Sequence, residues 1–140
     1  TQDLADPAMT TAVFDTNVIV SGVLSPDGAP GRLLEAILNG FCRPVVTDAI
    51  LEEYEEVLCR EKFGFPAFRV HALIDALSAV AVRAPFSSLS FKTPLSDPDD
   101  RIFVEAATAG NVPIVTGNIR HFPRSAIGRI PIFSPAAFLA

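Results

Sequence analysis

Ala12-Val13-Phe14-Asp15-Thr16-Asn17-Val18-Ile19-Val20 decides how the rest of the chain is read. Residues 12–14 have the character of a buried strand, the run then meets a carboxylate, and apart from Thr16 and Asn17 it is apolar again through Val20. A carboxylate so placed lies near the edge of a core, where loss of water is costly unless a cation, a donor or a proton compensates it. An Asp at this position can equally cap the turn that follows, so Asp15 has a plain structural reading beside a functional one.

Outward from that run, short β-branched stretches alternate with longer segments of helical period, the pattern of parallel strands joined by crossover helices. The periodicity predicts strands at 12–14, 42–46, 79–83, 114–116 and 132–133, with helices at 30–39, 48–60, 68–78 and 98–109. Leu33, Leu34, Ile37 and Leu38 share one face of the 30–39 helix, and Gly40 ends it. A Ser- and Pro-containing loop spans 85–96, and residues 1–10 read as a polar, acidic tail in which Met9 is a candidate natural start. The expected fold is therefore α/β, one domain over residues 11–140. In a parallel sheet with right-handed crossovers, every strand ends on the same edge, so function is sought there. That edge collects Asp15 and Asn17, the start of the Asp48 helix, the run Asp97-Pro98-Asp99-Asp100, and Thr116-Gly117-Asn118.

At 140 residues with 49% hydrophobic and 19% charged residues, the chain has material for one core that buries roughly two-thirds of its unfolded surface. The apolar runs around 18–24 and 73–84 are too short to span a bilayer, and no signal peptide is evident. Cys42 and Cys59 form no CxxC and have no histidine at ligand spacing, which removes zinc and disulfide frameworks and fits a reducing cytoplasm. A net charge of −5 argues against a protein that wraps nucleic acid nonspecifically, leaving room for a local basic rim.

The acids deserve separate treatment. On the helix from Asp48, Ile50, Leu51, Tyr54, Val57 and Leu58 form the apolar stripe; Glu52 and Glu56 point away from it, and Glu53 and Glu55 sit at its borders. Only Glu53 or Glu55 can reach the sheet edge. Asp97 suits an N-cap with Pro98 at the first helical position, and the acids that follow complement the helix dipole. Asp100, however, shares a face with Phe103, Val104 and Ala107, which aims it at the sheet, and capping does not require that. Two like charges about 5 Å apart at an effective dielectric near 20 repel by roughly 3 kcal/mol. If Asp15, Glu53, Asp97 and Asp100 converge, something must neutralise them: arginines such as Arg101 and Arg120, or a hard cation. Oxygen-only ligands of this charge suit Mg2+ or Mn2+, which activate water for phosphodiester hydrolysis without a His, Cys or Ser nucleophile.

Taken in order, Val13-Phe14-Asp15-Thr16-Asn17-Val18 with Ser21-Gly22, the helix Ile50 to Leu58, Asp97-Pro98-Asp99-Asp100, and Val115-Thr116-Gly117-Asn118-Ile119-Arg120-His121-Phe122 resemble the PIN domain over residues 12–135. They are most similar to the PIN-type toxins of toxin-antitoxin systems, relatives of VapC. The resemblance implies a three-layer α/β/α fold around a five-stranded parallel sheet. It also implies a Mg2+- or Mn2+-dependent endoribonuclease, frequent homodimers, and inhibition by a small antitoxin protein. Carried over by position, it assigns Asp15, Glu53 and Asp100 as the motif acids, with Asp97 as an additional one. Asn17 and Thr116 fall where side chains orient Asp15 and bound water. The fourth acidic position holds Asn118, an amide without charge, which puts a second metal ion in doubt. Arg120, His121, Arg124 and Arg129 concentrate positive charge after Asn118 and are the expected rim for the RNA backbone, with a solvated loop as the alternative.

Two other enzyme classes fail on residues. A haloacid-dehalogenase-like phosphatase needs a second Asp two positions after the first, where Asn17 stands, and a late Lys that is missing. A phosphoacceptor receiver domain fails as well, because this chain has no Lys after a late strand. The remaining alternative is a PIN fold without catalysis, acting as an RNA-binding or protein-interaction module.

Overall fold

The computed structural model describes residues 10–85 and 100–140. Strand β1 (Thr10–Phe14) opens the fold, one residue inside the stretch read as a tail, and helices α1 (Thr16–Leu24) and α2 (Ala29–Leu38) follow. Next come β2 (Cys42–Val46), α3 (Asp48–Leu58), a short 3-10 turn (Glu61–Phe63), α4 (Ala67–Val80) and β3 (Val82–Arg83). The chain resumes with α5 (Arg101–Gly110), β4 (Ile114–Val115), a second 3-10 turn (Ile119–His121), α6 (Arg124–Ile127), β5 (Ile132–Phe133) and α7 (Pro135–Leu139).

The sheet is five-stranded and parallel in the order β3-β2-β1-β4-β5. Strand order reverses between β1 and β4. Right-handed crossovers therefore put α1 to α4 on one face and α5 on the other, giving three layers. Residues inside β1 and β4 are buried on both faces, which is why these strands read as continuous apolar runs and not as an alternating pattern. Packing follows the expected faces: Leu33, Leu34 and Ile37 of α2, Ile50, Leu51, Tyr54 and Leu58 of α3, and Phe103, Val104 and Ala107 of α5 are all buried. Phe138 of α7 packs edge-on to Phe14 at a centroid distance of 5.9 Å, bringing the C-terminal helix back over the first strand.

Helix α1 occupies a segment that the periodicity left without an element. Its residues Val18, Ile19, Val20 and Val23 are β-branched, and Thr16, Val18, Ile19, Val20 and Gly22 are all buried, so its apolar character does not vary with a helical period. At the other crossover, Ala79 and Val80 complete α4 and do not start β3, because a short apolar run does not distinguish a helix end from a strand. The predicted loop beyond Pro85 and the start of the predicted helix at Pro98 lie outside the described residues, as do Thr1 to Met9. Among the described residues, no helix is long and apolar enough to cross a membrane.

Gly31 sits where α2 turns past the preceding loop. A Cβ there would lie 2.2 Å from the carbonyl oxygen of Pro26, whereas at Gly28 the nearest neighbour would be 3.6 Å away. Backbone cannot yield as a flexible side chain can, so Gly31→Ala is expected to lower unfolding free energy by about 1–3 kcal/mol in urea titrations, with Gly28→Ala nearly neutral. The two cysteines are free and differ in access. Burial pushes the Cys42 thiol up to about 11, and Cys59 is exposed. At pH 8 a thiol reagent should therefore titrate one cysteine in the native protein and the second only after denaturation.

Candidate active site

Among the described residues, the buried polar or charged side chains are Asp15, Thr16, Asp100 and Thr116. All four lie at the C-terminal edge of the sheet. Asp15 and Thr116 follow β1 and β4, the adjacent strands at which the order reverses, and this is where open α/β sheets place ligands. Polar groups are rarely buried without a partner or a purpose, so their concentration here marks the site before any chemistry is assigned.

Asp15 occupies the N-cap position of α1, yet its side chain makes no cap hydrogen bond. Its Oδ2 instead accepts from Thr116 Oγ1 at 2.8 Å, a bond that joins residues 101 positions apart. Capping therefore does not account for this carboxylate. Thr116 is fully buried, and its hydroxyl also accepts from the backbone N–H of Asn118 at 3.0 Å, which directs the hydroxyl proton toward Asp15. Asn17 ties the same two loops together: its Oδ1 accepts from the Gly117 N–H at 3.0 Å. A Cβ on Gly117 would stand 3.3 Å from that oxygen, so the glycine permits the close approach.

Asp100 repeats the arrangement on the other face. It is the N-cap residue of α5, makes no side-chain cap bond, and is 6% exposed. The positive end of each helix dipole favours the charged form of both acids without consuming their lone pairs. Glu53 is brought to the edge as its helical position required: the Thr16 hydroxyl donates to Glu53 Oε2 at 3.5 Å. Its neighbour Glu55 turns to the opposite border and meets His71 of α4 at 3.4 Å. Glu52 and Glu56 face solvent.

The segment after β4 closes the site. Asn118 Nδ2 lies 2.9 Å from His121 Nε2, and His121 Nδ1 lies 3.7 Å from Asp100 Oδ2. Linked contacts thus run from Asp15 through Thr116, Asn118 and His121 to Asp100. Arg120 is exposed beside this edge. Arg124, expected at the rim, donates from Nη1 to the carbonyls of Gly128 at 3.1 Å and Ile130 at 2.8 Å, so it braces the loop into β5.

Two contributors escaped the sequence reading. Thr16 was passed over beside Asp15, although a hydroxyl within an apolar run was a signal. Tyr54 lies on the apolar stripe of α3, fully buried, and its hydroxyl donates to the Phe14 carbonyl directly before Asp15. Burial first, and the charge of Asp15 second, hold the Tyr54 phenol far above its ordinary range, so it remains a neutral donor.

The donor set suits a hard divalent cation in chemistry: carboxylate oxygens with no sulfur, with Asp15 and Asp100 held at a burial that disfavours uncompensated charge. Among the described residues, no three His, Cys, Asp or Glu side chains converge as a group that could hold an ion, and Asp97 lies outside them. A cavity of about 410 Å3 opens farther along the same edge between Thr47, Asp48, Arg83 and Glu105. It includes none of Asp15, Glu53 or Asp100, and Arg83 and Asp48 form an ion pair at its wall, so its size does not make it the chemical centre.

The PIN domain family matches residues 11–120, and the chain belongs to that family. Among solved structures, the fold is similar to VapBC2 from Rickettsia felis bound to a DNA fragment from their promoter. The TM-score is 0.59 at 15% identity, over 89% of this chain and 98% of that one. No curated protein matches the chain.

Thr116→Val keeps the shape of the side chain and removes the donor to a buried carboxylate, which is expected to cost about 1–3 kcal/mol of unfolding free energy. Thr116→Ser retains the hydroxyl and should recover most of that loss. Urea denaturation of the two variants measures the difference, and equal stability would assign the bond no energetic role.

Proposed function

We propose that the chain is a Mg2+- or Mn2+-dependent endoribonuclease and the toxin of a toxin-antitoxin pair. The observation that carries this reading is the burial of Asp15 and Asp100 at two helix N-caps on one sheet edge, with neither side chain used for capping. Membership of the PIN domain family supports nuclease chemistry. The likeness to VapBC2, a toxin-antitoxin complex, supports a small antitoxin as partner, and two free cysteines fit a reducing cytoplasm as the setting.

In this reading Asp15, Asp100, Glu53 and Asp97 would be the ion's ligands, with Asp97 completing a set that the three described acids do not form by themselves. When bound, the ion supplies Lewis-acid charge to a water and to the scissile phosphate. The protein's own contribution is orientation. Thr116 fixes the Asp15 carboxylate through Oδ2, Thr16 steadies Glu53, and Asn17 locks the Gly117 turn against α1. Arg120, exposed at the same edge, offers a phosphate contact that positions RNA without reading bases. Asn118 in place of an acid is the observation that favours the second reading, a non-catalytic RNA-binding or protein-interaction module.

The deciding experiment pairs a mixed single-stranded RNA pool with thermal unfolding. Mn2+ should raise the melting temperature by mass action, EDTA should stop cleavage, and Asp15→Asn should abolish the Mn2+ effect and slow cleavage by about 10^3-fold or more. Cleavage that survives in Asp15→Asn would reject this site, and a wild-type chain indifferent to Mn2+ and inert toward RNA would establish the second reading.

A further inference from the structure

The geometry points to His121 as a positioning residue that holds Asp100 for ion binding, with Asn118 fixing its ring, and not as an RNA contact. The inference rests on the nuclease reading above and assigns a side chain within that site.

His121 sits in the 3-10 turn Ile119–His121, which begins immediately after Asn118. This turn carries the ring back over its own N-cap residue, so both ring nitrogens face protein groups. Asn118 Nδ2 donates to His121 Nε2 at 2.9 Å, which leaves the ring proton on Nδ1. That nitrogen is the one facing Asp100 Oδ2, at 3.7 Å. At 3.7 Å the pair is longer than a hydrogen bond, so the imidazole N–H stands one small shift from the contact by which an outer partner orients a ligand.

Two further observations favour this role over contact with substrate. Asn118 is itself anchored, because its N–H donates to Thr116 Oγ1, the hydroxyl that holds Asp15. The same short segment therefore fixes both buried acids at once. Asp100 is also the N-cap residue of α5, where a lateral partner helps to define its rotamer.

Asn mimics the position of a histidine Nδ1 and Gln that of Nε2, so the two substitutions separate the contacts. Titrating Mn2+ against melting temperature, His121→Phe and His121→Gln should weaken the apparent Mn2+ affinity by about 10-fold or more. His121→Asn, which keeps a donor toward Asp100, should remain within about 3-fold of wild type. RNA cleavage at saturating substrate should follow the same order, with kcat falling and KM unchanged. Because the side chain is 44% exposed, the ion-free melting temperatures of all three variants should stay close to that of wild type. Unchanged Mn2+ affinity in His121→Phe, or a rise in KM alone, would overturn the assignment and return His121 to the RNA rim. A wild-type protein without any Mn2+ response would instead overturn the nuclease reading itself.

Discussion

The hydrogen bond from Thr116 Oγ1 to Asp15 Oδ2 connects the two strands between which the sheet changes direction. Its geometry depends on register: Phe14 pairs with Val115, so the residues that follow them leave the sheet side by side. Each then begins a different structure, α1 after Asp15 and the Gly117 turn after Thr116. A shift of one residue in that register would point Thr116 to the opposite face and leave the acid without its donor. The apolar content of β1 and β4, buried on both sides, holds the register through packing, and the polar pair uses it.

Around that bond the acids are supported by dipoles and hydroxyls. Helix dipoles act on Asp15 and Asp100 from the N-termini of α1 and α5, and hydroxyls act on Asp15 and Glu53. Tyr54 contributes on the interior side by occupying the Phe14 carbonyl, so the backbone leading to Asp15 is fixed from below and the side chain from above. The phenol's reluctance to ionise follows from its burial first and from the negative charge of Asp15 second.

Much of this organisation is legible in the sequence because it depends on local pattern. The strand Cys42–Val46 and the stripe of the Asp48 helix have unambiguous periods; the border positions left Glu53 and Glu55 both open, and only the fold separates Glu53 beside Thr16 from Glu55 beside His71. Helix α1 was not legible, because a helix buried around most of its surface carries no amphipathic signal. The division of labour among the basic residues was equally hidden. Arg124 and His121 look alike in a charge count, and only the return of the chain toward Ile130 in one case and toward Asp100 in the other separates a brace from a partner of the acid. Asp15 itself was ambiguous until its side chain was seen to bypass the cap it was placed to make.

The long separation of the site's partners has a consequence for synthesis. Asp15 is synthesised 101 residues before its hydroxyl partner. An N-terminal fragment on the ribosome can collapse around β1 to β3, yet it lacks the strand and turn that arm the first acid. A chain that stops before Thr116 is thus unable to give Asp15 its donor, and the buried pocket at the sheet edge becomes a property of the chain only once β4 has been added.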